Sequence, residues 1–220
     1  MDILRRIITL FQGNNWLIIP AALISVIFHE ISHGYVAYLL GDKTAQNHKR
    51  LTLNPLNHID PIGLICMIFL GFGWAKPVPI NPYYFKTRNR KLGISLVALA
   101  GPVSNLILAF LSCFLIMIFT LFKNGNELLI FSHFFILLAE LNIGLAIFNF
   151  IPVPPLDGAK ILFALLPIRI YGFVLKYERF GMLILLLLIN LPFFSDFMFS
   201  IRYATLNWMF NVIGELFILR

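Results

Sequence analysis

Residues 16–40 read WLIIPAALISVIFHEISHGYVAYLL, an apolar run with His29, Glu30 and His33 inside it. A helix rises about 1.5 Å per residue, so about 20 mostly apolar residues cross a bilayer core. This run is long enough to span. Ionisable groups at that depth are expensive, and where they occur they serve a function. His29 and His33 are four apart, and at about 100° per residue their imidazoles share one helix face and can ligate one metal ion. Glu30, next to them, is placed to take a proton from water. The HExxH spacing therefore points to metal-assisted hydrolysis on a membrane helix. The alternative, two histidines satisfied by helix packing, leaves the cost of three buried ionisable groups without a reason.

Composition agrees with a membrane setting. Of 220 residues, 60% are hydrophobic, 15% aromatic and 12% charged, against about 25% charged and 45–50% apolar in a soluble domain. With a mean hydropathy of +0.87, a soluble enzyme, a disordered chain and a nucleic-acid-binding domain are poor fits. The net charge of +7 is explained by basic loops facing the cytoplasm rather than by a nucleic-acid partner. Cys66 and Cys113, each in an apolar run, form no disulfide framework. The first residues, MDILRRIITLFQGNN, lack the apolar length and small-residue cleavage pattern of a signal peptide, and an interfacial helix is expected within 1–15. No linker, repeat or low-complexity tract divides the chain, so one domain over 1–220 is expected.

Further spans are expected at Leu92–Phe122, which contains Gly101-Pro102, and at Leu128–Ile151, which carries Glu140, Asn142 and Asn149. A C-terminal pair, Phe180–Phe199 and Tyr203–Leu219, around Asp196 and Arg202 brings the number to about five. Ile62–Trp74 is short and glycine-containing, which suits a re-entrant hairpin. Residues 151–159, IPVPPLDGA, cannot continue a helix through their prolines, and irregular backbone at membrane depth must line a cavity. The fold class is thus all-α and polytopic, with a proline-rich unwound segment at the site. Lys43, Lys49, Arg50, Lys76, Lys86, Arg88, Arg90 and Lys91 place residues 41–91 on the cytoplasmic side and the N-terminus outside, with Arg5 and Arg6 the exceptions.

Two histidines leave a catalytic zinc site one protein ligand short when water fills the fourth place. Asp42, Asp60, Glu140, Asp157 and Glu215 all stand near or within apolar segments. Asp157 is the best placed, because the proline-rich break frees it to face the cavity. Its competing role is to cap a helix that starts near Gly158.

Five stretches in order carry a family resemblance: HEISHGYVAYLLGD at 29–42, RLTLNPLNHIDPIG at 50–63, GFGWAKPVPINPYYF at 71–85, ALAGPVSN at 98–105 and FNFIPVPPLDGAKIL at 148–162. Over roughly residues 16–190 the chain resembles the intramembrane metalloproteases of the site-2 protease family, within the small prokaryotic subgroup lacking PDZ and CBS domains. The resemblance implies one Zn²⁺ per chain held by His29, His33 and Asp157, with Glu30 as catalytic base. Asn149 would hold the substrate backbone or the developing oxyanion, and Pro155 would lie in the turn beside it. It implies a multi-pass protein of the bacterial cytoplasmic membrane that cleaves membrane proteins in or near a transmembrane helix, with the bilayer as partner and no nucleic acid.

The remaining matches carry less chemistry. Gly101-Pro102 and Asn105 read as packing their helix against the HExxH helix. His58 and Asp60 fit either a loop cap or a catalytic role, while His48 and His133 match no ligand spacing. Lys76-Pro77-Val78-Pro79 reads as a stiff extended segment able to pair with an unwound substrate strand. Rival readings are a membrane protease that trims soluble peptides, a metal transporter using the same ligands, and a silent scaffold. The LDG segment and the concentration of ligands at one place oppose them.

Overall fold

The computed structural model describes residues 15–61, 63, 75–122, 126–167, 180–181, 183–185 and 187–218. The expected interfacial helix, most of the re-entrant segment Ile62–Trp74, Cys66 and Lys123 lie outside the described residues. Five longer helices are present among those described: α1 (Ile18–Leu39), α2 (Arg90–Phe122), α3 (Asn126–Asn149), α4 (Asp157–Leu165) and α5 (Pro192–Ile218). No strand occurs among them; Ile59 and Ala75 make a single antiparallel bridge.

The helices bury and expose the opposite of what a soluble bundle does. On α2 the exposed residues include Leu92, Leu96, Val103, Ile107 and Leu111, while Ser95, Gly101, Asn105, Ser112 and Cys113 are buried. On α1 Phe28, Tyr35 and Leu39 face out, and Ser25, His29, His33 and Gly34 face in. Lipid tails are as apolar as leucine, so large apolar side chains gain nothing by turning inward. Small and polar residues instead form the helix contacts. The main apolar core shows the same economy: Ala109 and Cys113 of α2 meet Ala139 and Ile143 of α3 and Met209 and Ile213 of α5.

Three helices, Ile18–Leu39, Arg90–Thr120 and Leu129–Asn149, are long and apolar enough to cross a membrane, so the chain is a multi-pass membrane protein. The C-terminal part departs from the expected pair of spans. Instead of breaking between Phe199 and Tyr203, α5 runs unbroken from Pro192 to Ile218. Its bend of 79° falls before Pro192, where it meets the helical piece Leu183–Ile189. A proline ring has no N–H to give to the preceding turn and suits the first helical position, whereas Asp196 and Arg202 sit on the outer and half-buried faces of α5 without interrupting it. This bent pair is a candidate fourth span in place of the two that were expected.

Between α1 and α2 the chain forms a layer of turns rather than another span. Buried Asp42 organises it, accepting from the Thr44 amide (2.9 Å) and hydroxyl (2.5 Å) and from the Asn81 amide (2.6 Å). Arg50, also buried, donates to the carbonyls of Lys76 (2.7 Å) and Pro77 (3.3 Å). Together these tie the extended segment 75–81 across the inner face of α1.

Candidate metal centre

The HExxH residues lie in the second half of α1, where the helical repeat stacks His29 and His33 on the buried face. Their Nε2 atoms are 3.0 Å apart. Asp157 Oδ2 is 3.2 Å from the first and 3.0 Å from the second. Asp157 does not cap α4: it is the helix's first residue, delivered there by the turn 150–156, and it points back at α1. The LDG glycine makes that approach feasible, since a Cβ on Gly158 would lie 2.4 Å from the Phe150 carbonyl oxygen.

The protonation of the rings follows from their partners. His29 Nδ1 lies 2.5 Å from Asn105 Oδ1, and His33 Nδ1 lies 2.6 Å from the Val97 carbonyl oxygen. Both oxygens can only accept, so both Nδ1 atoms carry the hydrogen and donate. In the neutral rings each Nε2 then presents a lone pair. Two lone pairs and a carboxylate oxygen thus face one another, an arrangement that calls for a cation at its centre. Ligand atoms about 2.0–2.1 Å from a tetrahedral zinc are about 3.3 Å from one another, close to the three separations found here. The donor set fits zinc.

Around the triad, Lys160 Nζ pairs with Asp157 Oδ1 at 3.1 Å, leaving Oδ2 to the rings. From the α2 side, Gly101 makes room: a Cβ there would stand 2.4 Å from His33 Nε2 and 2.5 Å from His29 Cε1. The packing role expected of Gly101 is therefore a clearance for the ligand atoms themselves.

Glu30 points to the neighbouring flank, where its Oε2 accepts the Val78 amide at 2.8 Å. Its other oxygen has no protein partner among the described residues. The Val78 N–H is thereby occupied and not available for a substrate strand. Asn149 ends α3, half-buried, its amide donating to the Leu145 carbonyl at 3.0 Å rather than to the triad.

Of the other carboxylates weighed as ligands, Asp42 caps the turn layer, and Asp60 accepts the Gly63 amide at 2.9 Å. Glu140 is half-buried on α3 and Glu215 exposed on α5; neither belongs to the cluster. His58 is buried and donates to the Thr52 carbonyl at 2.8 Å, as a loop cap does. His48 is exposed and His133 half-buried, both outside the cluster.

Sequence reading missed the polar residues behind the His29–His33–Asp157 cluster: Asn142, Ser25 and the hydrogen-bonding part played by Asn105. A signal was present. Ser25 lies one turn before His29 and Asn105 one turn after Gly101, so each falls on the stripe that faces the site.

Comparison with known proteins points the same way as this geometry. The profile of "Peptidase family M50" matches residues 117–189. "Putative zinc metalloprotease YwhC" of Bacillus subtilis is 38% identical over 200 residues, covering 89% of this chain and 90% of that protein. "Putative zinc metalloprotease Rip2" of Mycolicibacterium smegmatis is 29% identical over 208 residues, covering 90% of this chain and 74% of its own. No solved structure matches. With a relative so similar along nearly its whole length, and a carboxylate arriving from the LDG turn to meet an HExxH helix, the chain belongs to peptidase family M50, the site-2 protease family of metalloendopeptidases.

Proposed function

We propose that this chain is a zinc-dependent intramembrane endopeptidase, a single domain in a bacterial cytoplasmic membrane that hydrolyses peptide bonds in or near transmembrane segments of other membrane proteins. The observation that carries the reading is the meeting of three acceptors, His29 Nε2 and His33 Nε2 of a spanning helix and Asp157 Oδ2 of α4, at 3.0–3.2 Å. These residues hold one zinc per chain, which when bound supplies Lewis acidity towards water and a carbonyl.

The chain's own groups do the rest. Glu30, held through Oε2 by the Val78 amide, takes a proton from the attacking water and passes it to the leaving amine nitrogen. The Val78 bond keeps the base in one rotamer. Asn149 donates to the oxyanion of the tetrahedral centre, for which its amide must leave the Leu145 carbonyl. The proline-rich turn 150–156 keeps helix α3 from continuing past Asn149, so the scissile segment has an irregular, polar flank to enter. A helical substrate hides its carbonyls, so substrates are expected to carry helix-breaking residues near the scissile bond.

The test is Glu30→Gln in detergent-purified full chain, with zinc content and cleavage of a single-span substrate measured together. Zinc should remain at about one per chain while turnover falls about 10²-fold or more. Cleavage near the wild-type rate would refute the base assignment. Absence of zinc from folded wild type would refute the metal site itself. A transport reading gains no support, because the ligands form one cluster among the described residues rather than a series along a path.

A further inference from the structure

Behind His29 runs a chain of hydrogen bonds that crosses three helices. Asn105 of α2, which accepts from His29 Nδ1, donates its own amide hydrogens to the Ser25 carbonyl (3.1 Å) and to Asn142 Oδ1 (2.6 Å). Asn142 of α3 in turn donates to Ser25 Oγ (2.8 Å) and the Leu138 carbonyl (2.7 Å). Ser25 Oγ–H donates to the Ala21 carbonyl at 2.7 Å. Asn105, Asn142 and Ser25 are each completely buried.

Direction is what matters in this chain. The Ser25 hydroxyl spends its hydrogen on a backbone carbonyl, so towards Asn142 it can only accept. That sets the Asn142 amide nitrogen towards Ser25 and its oxygen towards Asn105. The Asn105 nitrogen must then face Asn142, and its oxygen must face His29. Neither carboxamide can flip without opposing two donors or two acceptors in a site closed to water.

We propose that Asn142 and Ser25, whose side chains hydrogen-bond to none of the three candidate ligands, are positioning residues that set the His29 tautomer through the orientation of Asn105. A flipped Asn105 would offer His29 Nδ1 a hydrogen, moving the ring's own hydrogen to Nε2 and blocking the position a metal needs. This rests on the zinc reading above and deepens it.

Two isosteric changes separate orientation from packing. Asn142→Leu removes the nearer of the two acceptors that hold the Asn105 nitrogen, leaving only the Ser25 carbonyl. Asn142→Asp keeps an acceptor there while placing a carboxyl in a buried site. Zinc affinity is measured on the purified full chain by competition with a chromophoric chelator, and thermal unfolding on the same samples without metal. Asn142→Leu should lose about 10–100-fold in zinc affinity, as changes behind a metal ligand do, and Asn142→Asp less than about 3-fold. Thermal stability should run in the opposite order, since the buried carboxyl is the costlier change.

Zinc affinities that fall in step with stability would overturn the proposal in favour of a packing role. Should either variant fail to fold, Ser25→Ala decides. Its zinc affinity should drop severalfold with helicity intact, and an unchanged affinity would overturn the proposal. Wild type that binds no zinc would instead sink the metal reading on which this stands, so the two failures are distinguishable.

Discussion

Asp157 shares its two oxygens between two neighbours: Oδ2 faces the imidazoles of His29 and His33, and Oδ1 faces the Lys160 ammonium 3.1 Å away. The lysine side chain is half exposed, with 52% of its surface accessible, so as an ion pair it adds little to stability. Its consequence is geometric, because an occupied Oδ1 keeps the carboxylate from turning both oxygens to a metal or away from it. Lys160→Met should leave thermal stability within about 0.5 kcal/mol while weakening zinc binding about 10-fold. Equal affinities in wild type and variant would show that Asp157 needs no such restraint. The HExxH pattern alone singled out Glu30 as a candidate base, but not the group that restrains it. The amide that holds it belongs to Val78, 48 residues away, in a segment read from its prolines as extended and able to pair with a substrate strand, not as a partner for Glu30.

At the scale of elements, α2 decides how closely the site can be approached. Gly101 falls mid-helix, where alanine would normally stabilise by about 1 kcal/mol. Here its Cβ would enter the space between the two histidine rings, 2.4 Å from His33 Nε2. Steric overlap of that kind typically costs about 1–3 kcal/mol, so it outweighs the propensity gain. Gly101→Ala should lower the unfolding temperature and abolish stoichiometric zinc binding, both measurable on the purified protein; normal zinc content would mean that α2 can retreat without consequence. The GPVS run at 101–104 advertised a close contact between helices, and the structure identifies what is contacted. In α5 the local signal misled. Asp196 and Arg202 looked like the flanks of a loop, yet the backbone bond ladder continues through them, and the break falls at Pro192.

Over the whole molecule, the candidate metal ligands link elements that the chain separates widely. His29 and Asp157 are 128 residues apart, and the bonds behind His29 extend the link from α1 and α4 to α2 and α3. A ligand that binds only the folded chain stabilises it by about 4 kcal/mol at a thousandfold excess over Kd. Stripping zinc with a chelator should therefore lower the melting temperature in detergent by on the order of 10 °C, and re-addition should restore it. Superimposable melts with and without metal would show that the helices hold this arrangement unaided.

The sequence by itself determined the membrane setting, the helical class and the HExxH signature, because each depends on composition or on a spacing within one helix. It also singled out Asp157, since prolines mark an irregular segment wherever they fall. Only the tertiary structure decided which oxygen of Asp157 faces the rings, what clearance Gly101 provides, and how Ser25 and Asn142 orient Asn105. Local sequence specifies which face of a helix a side chain occupies, whereas donor and acceptor directions at a buried site depend on groups brought in from other helices.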